Sequence, residues 1–173
     1  MSKELKRDLI LAVFVGIGCG IQMGIYQALN VSGLVQNPLY WASYLPIPAM
    51  FLFGANFKDI PFHWGNALFG VLCAFLCNAL ANATAGGIGF PVSMSIQMAI
   101  WNFVIMAVAG GIFAKNIGRC PMAVLGFIGF FAAGGTNLLV LCVSLICGIV
   151  SGVIMVQSGK IAAKMAGIEE GAE

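Results

Sequence analysis

Seven uncharged polar side chains lie within or directly against long apolar runs: Gln22, Asn56, Asn78, Gln97, Asn102, Thr136 and Asn137. An amide offers both donors and an acceptor, so a set of them can replace the hydration of a neutral polar solute without holding it by charge. Their ordinary alternative is hydrogen bonding between helices, worth about 0.6 kcal/mol on average in lipid. Phe53 and Phe131 stand in the same neighbourhoods, beside Phe51 and Phe130. Such rings can form a narrow apolar slot that excludes hydrated ions, and they are equally at home facing lipid. These nine residues are the candidates for a substrate path.

Other chemistries have weaker support. Cys73 with Cys77, and Met94 with Met98, share helical i, i+4 spacing; thiolates and thioethers suit Cu(I), but both residue types are ordinary filler in apolar helices. The six cysteines lack the short paired spacings of a zinc site or a disulfide framework, so no metal site and no cofactor is expected. His63 is the single histidine and is read, with Lys58 and Asp59, as part of a loop. No acidic or basic residue is then expected at membrane depth, which disfavours a proton relay. Acid–base or nucleophilic catalysis has no constellation to stand on, and the expectation is that the chain is not an enzyme.

The elements that must position these residues follow from charge. Of 173 residues, 61% are hydrophobic and 8% charged, against roughly 25% charged in a soluble domain. Three stretches, Leu9 to Phe57, Ile60 to Ala114 and Cys120 to Gly159, contain no Asp, Glu, Lys or Arg. Each is long enough for two crossings of about 20 apolar residues. Dividing them at Pro, Gly, Asn and charged interruptions predicts spans over 9–29, 40–54, 64–84, 92–113, 120–134 and 139–158. The start of the chain is basic and then apolar, yet no small-x-small cleavage pattern follows, so the first helix is expected to be retained.

Orientation comes from the eight positive residues. With a cytoplasmic N-terminus, Lys3, Lys6, Arg7, Lys58, Lys115, Arg119, Lys160 and Lys164 all fall on the cytoplasmic side. The opposite loops, Asn30 to Leu39, Ala85 to Pro91 and Gly135 to Leu138, hold none, as the positive-inside rule demands. Both termini are expected in the cytoplasm, with 159–173 a short tail. Tyr40, Trp41, Tyr44 and Trp64 stand at span starts, where amphipathic rings favour the interface.

Spans two and five are short, reaching about 22 Å as straight helices, and they are broken by Pro46 and Pro48 or punctuated by Gly126, Gly129, Gly134 and Gly135. Each is the middle of a long-short-long triplet. A constant offset of 81 pairs Gly54 with Gly135, Ala55 with Thr136 and Asn56 with Asn137, while Gly70 meets Gly148 after a three-residue gap. Three crossings per triplet invert the second copy. The expected fold is therefore an all-α membrane protein, a single integral membrane domain of six transmembrane helices arranged as two inverted-topology three-helix repeats, about 9–84 and 92–158. Paired short, broken segments in inverted halves point to a transport site, because broken backbone in lipid is tolerated only where protein or a water-lined cavity satisfies it. Tilted or edge helices in a locally thinned bilayer are the alternative. Small-residue ridges at Gly16, Gly20 and Gly24, and at Gly148 and Gly152, suit close packing within the bundle or in a homo-oligomer.

The run Phe130, Phe131, Ala132, Ala133, Gly134, Gly135, continuing through Gly148 and Gly152 to Ser158, Gly159 and Lys160, together with the Gly16 to Gly24 ridge, resembles a family of small bacterial inner-membrane proteins catalogued as domain of unknown function 1097. The resemblance implies a bacterial inner-membrane location and a single domain, and assigns no site. The functional expectation from the residues themselves is a passive channel or facilitator for a small neutral polar solute of the urea, short amide, ammonia or glycerol class. Its partners would be the lipid bilayer and that solute, with no nucleic acid. The alternatives are a cation-coupled secondary carrier and a non-transporting scaffold or accessory subunit.

Overall fold

The computed structural model describes residues 2–32, 39–109 and 120–168, with the side chain of Cys120 excepted. The loop over 33–38, the end of the fourth span beyond 109, Lys115, Arg119 and the last five residues lie outside the described residues. What is described is all-helical, 90% helix with no strand.

Seven α-helices are described: α1 (Lys3–Val31), α2 (Tyr40–Tyr44), α3 (Pro46–Phe53), α4 (Ile60–Ile88), α5 (Phe90–Ala107), α6 (Cys120–Ala132) and α7 (Leu138–Ala166). Four segments are long and apolar enough to cross a membrane: Lys3–Val31, Phe57–Ile88, Phe90–Ala107 and Leu138–Ala166. The two intervening segments are short, as their prolines and glycines predict.

Local chemistry explains the boundaries. The Ser2 side chain accepts from the Leu5 N–H at 3.2 Å and caps α1. The second span breaks at Leu45, because Pro46 and Pro48 bring no N–H for the carbonyls of Ala42 and Tyr44 four residues earlier. It ends at Gly54, in the left-handed region at φ 58°, where few residues but glycine rest without strain. A 3-10 turn (Phe57–Asp59) with a reciprocal Asn56/Asp59 capping box then leads directly into α4. That box starts the helix at Ile60, earlier than the expected 64, and so draws His63 out of its expected loop. His63 lies inside α4 and is fully buried.

The chain groups into two compact units. The first contains residues up to Ile60 and from Cys147 on, hence α1, α2, α3 and most of α7. Within it Lys3 Nζ donates to the Gly167 carbonyl at 2.9 Å, so the start of α1 and the end of α7 lie side by side. The second unit, Pro61–Ile146, contains α4, α5, α6 and the beginning of α7. Its core includes Phe130, Met122, Leu141 and Ile105, all at most 1% exposed.

Candidate functional site

The first unit is built around the break in the second span. Gly148 and Gly152 of α7 lie one turn apart, and α2 and α3 press directly onto them. A β-carbon on Gly148 would run into the carbonyl of Ser43 and come within 2.9 Å of the Pro46 ring; one on Gly152 would lie 2.7 Å from Met50 Cγ and 3.2 Å from Ile47 Cα. The expected ridge on span six is therefore a packing surface. The ridge on span one packs against no described residue of the chain: a β-carbon at Gly16, Gly20 or Gly24 would meet nothing within 4 Å.

The second unit repeats this junction. A β-carbon on Gly70 of α4 would run into the carbonyl of Ala123 on α6, and one on Gly126 into the carbonyl of Ala67. Ser43 and Ala123, like Gly54 and Gly134, are 80 positions apart, while Gly70 and Gly148 are 78 apart. One turn before Gly70 and before Gly148 stands a buried polar residue bonded back to its own helix. Asn66 Nδ2 donates to the Phe62 carbonyl at 2.8 Å, and Ser144 Oγ to the Val140 carbonyl at 2.7 Å. Neither Asn66 nor Ser144 was among the expected site residues, although polar-x-x-x-Gly at both positions is visible in the sequence.

The ends of the short helices match as well. Gly54 N–H bonds the Phe51 carbonyl (3.3 Å) and Ala55 N–H the Met50 carbonyl (3.2 Å); Gly134 N–H bonds the Phe131 carbonyl (2.9 Å) and Gly135 N–H the Phe130 carbonyl (3.0 Å). Both are left-handed glycine caps of the paired-bond type. The two caps match at an offset of 80, which sets Gly54 against Gly134 and Asn56 against Thr136, one position from the offset of 81 expected from the letters. Letter identity had favoured the neighbouring glycine, whereas the bonds define the cap. A long-helix amide approaches each cap. Gln157 Nε2 donates to the Ala55 carbonyl at 2.9 Å and to Asn56 Oδ1 at 3.0 Å. In the second unit, a β-carbon on Gly135 would lie 3.8 Å from Asn78 Nδ2.

The nine expected path residues divide between the units, with Gln22, Phe53 and Asn56 in the first and the other six in the second. Gln22 is buried at 6% exposed, its Nε2 donating to the Ser43 carbonyl at 3.3 Å. Asn56 is exposed and serves the capping box and Gln157. Asn78 is half-buried and accepts from Asn82 Nδ2 through its backbone (2.8 Å) and its side chain (3.4 Å). Asn102 is exposed and bonds back to the Met98 carbonyl at 2.8 Å; Thr136 does the same to Ala133 at 3.1 Å. Gln97 and Phe53 are half-buried. Asn137 is exposed, with an unusual φ of 54°. Phe131 is half-buried, its ring centroid 5.2 Å from those of Phe127 and Phe130.

Around Gln22 the first unit gathers polar groups, among them Tyr40 and Tyr44, two of the tyrosines expected at the interface. Tyr44 OH reaches the Cys19 carbonyl at 3.4 Å, and Tyr40 OH donates to Gln27 Oε1 at 2.6 Å. The Tyr40 ring lies 5.9 Å from that of Tyr26, which is 4% exposed. Among the described residues, no group of three His, Cys, Asp or Glu side chains is arranged to hold a metal ion. No protein-family model, curated protein or solved structure matches the chain.

Proposed function

We propose that the chain is a six-span inner-membrane channel or facilitator for a small neutral polar solute, built from two inverted three-helix repeats with both termini in the cytoplasm. The carrying observation is the duplicated junction. In each unit a short helix ends in a left-handed glycine cap, and a carbonyl earlier in the short segment, Ser43 or Ala123, is pressed against a glycine of a long helix. Such duplication is what an internal repeat would produce. The repeat reading also accounts for the exchange of third members, since span two packs on span six and span five on span three. The Lys3 to Gly167 bond agrees with an even number of crossings.

The neutral-solute reading rests on the residues at these breaks. Gln22, Ser43, Asn56, Gln157, Asn78, Thr136 and Asn137 are uncharged hydrogen-bonding groups, able to exchange with a solute's hydration without trapping it electrostatically. Gln97, Asn102, Phe53 and Phe131 are the remaining path candidates. The test is purified protein in liposomes, with solute entry followed by light scattering. Faster entry of urea, acetamide or glycerol than into empty liposomes is expected; equal rates for all three would reject the reading.

One observation favours a second reading, a cation-coupled carrier. His63 is a titratable side chain fully buried in a helix long and apolar enough to span, and buried ionisable groups in such helices commonly belong to ion or proton pathways. Flux that stops when an imposed proton or Na⁺ gradient is collapsed, and that His63→Gln uncouples from the gradient, would select this reading over the passive one.

A further inference from the structure

α1 is 29 residues long and buries two of them, Gln22 and Tyr26, one turn apart. An apolar helix that buries only polar-tipped side chains holds them toward something that needs them. Gln22 Oε1 is fully buried and has no hydrogen-bond partner among the described residues. Its orientation is fixed by chemistry: turning the amide over would set Oε1 against the Ser43 carbonyl, two acceptors face to face.

The neighbouring donors are already engaged. Gln22 Nε2 is held by the Ser43 carbonyl, Ser43 Oγ by the Tyr40 carbonyl at 2.8 Å, Tyr40 OH by Gln27 and Tyr44 OH by the Cys19 carbonyl. Pro46 and Pro48 add no N–H to the adjoining turn. Among the described residues these four donors are thus engaged, while Gln22 Oε1 remains an acceptor. Two aromatic rings stand in the same unit: Tyr26, one turn from Gln22 on α1, and the half-buried Tyr40, their planes inclined by 59°.

Resting on the channel reading above, we infer that Gln22 forms a binding station for a planar N–H donor, a solute of the amide or urea class. Gln22 Oε1 accepts the solute N–H, and the tyrosine pair gives the planar solute a face to lie against. A hydroxylated, non-planar solute such as glycerol can donate to the same oxygen but cannot use the flat face, so it passes less readily.

The experiment compares urea, acetamide and glycerol entry into proteoliposomes of wild type and of Gln22→Met, which keeps the length of the side chain and removes the acceptor. Wild type is expected to favour urea and acetamide over glycerol by about tenfold after subtraction of the lipid rate, a ratio typical of one well-placed hydrogen bond. Gln22→Met is expected to bring that ratio towards one, with a melting temperature in detergent close to that of wild type, lowered at most by the loss of the single Gln22 Nε2 bond to Ser43. Equal passage of all three through wild type, or an unchanged ratio in a folded Gln22→Met, would overturn the station while leaving the channel intact. A Gln22→Met protein that melts well below wild type would overturn it also, because the amide would then be a structural tie. Failure of all three solutes to enter wild-type vesicles faster than empty ones would instead remove the channel reading itself.

Discussion

The backbone carbonyl of Ser43 occupies the space that a β-carbon on Gly148 would need. The same carbonyl accepts the Gln22 amide, so a single atom joins three segments of the first unit at the point where the second span breaks. In lipid, helices gain little from hydrophobic transfer and associate through close backbone approach and hydrogen bonds. Both are present at this atom.

Substitution of the contact glycines is therefore expected to be costly, and substitution of the open ones harmless. Gly148→Ala and Gly70→Ala should each destabilise the protein by about 1–3 kcal/mol, the usual range for overpacking. Gly16→Ala and Gly20→Ala should leave the melting temperature in detergent unchanged or slightly raised, since alanine is the better helix former. Equal melting of the four variants would contradict the packing described at α2, α3, α4, α6 and α7.

The left-handed caps make a different prediction. At Gly54 and Gly134, with φ of 58° and 69°, replacement by Val should cost at least about 1–2 kcal/mol, whereas Asn, which tolerates this region, should cost less. Thermal melts of Gly54→Val against Gly54→Asn, and of the matching Gly134 pair, read the difference. A Val variant as stable as the Asn variant would show that the cap conformation is not required.

Gln157 ties the long last helix to the end of the second span through Ala55 and Asn56. Gln157→Leu should speed amide hydrogen exchange across residues 55–59 while leaving α6 protected. Asn56→Leu should do the same more strongly, because it removes an acceptor of Gln157 and the side-chain half of the capping box with Asp59. Exchange that is unaffected in both would argue that the turn is held by other contacts.

Much of the architecture could be read from the sequence because its signals are additive. Apolar run length and charge-free stretches predict the long helices, and Pro46, Pro48 and the glycines of 126–135 predict the short ones. What escaped reading was set by single atoms. The start of α4 moved because Asn56 and Asp59 form a reciprocal cap, and His63 moved with it from loop to buried helix. The two glycine caps match at an offset of 80, where letter identity pairs residues at 81, because each cap is defined by the bonds from Gly54 and Gly134. Asn102 and Thr136 each bond to a carbonyl of their own turn, a local partner that the sequence does not report. The importance of Ser43 lies in its carbonyl, which no side-chain pattern reports.

The proposed orientation can be checked by reporter fusions. A green fluorescent protein joined after Gly167 should fluoresce and an alkaline phosphatase there should be inactive, whereas phosphatase joined after Gly89 should be active. The reverse pattern would contradict a cytoplasmic C-terminus and with it the positive-inside assignment.

The central claim is conduction of a small neutral polar solute, and its most direct test is stopped-flow light scattering of proteoliposomes under a urea or acetamide gradient. The account predicts entry faster than in empty liposomes of the same lipid and independent of any imposed ion gradient. Rates identical to those of empty liposomes for urea, acetamide and glycerol alike would contradict it.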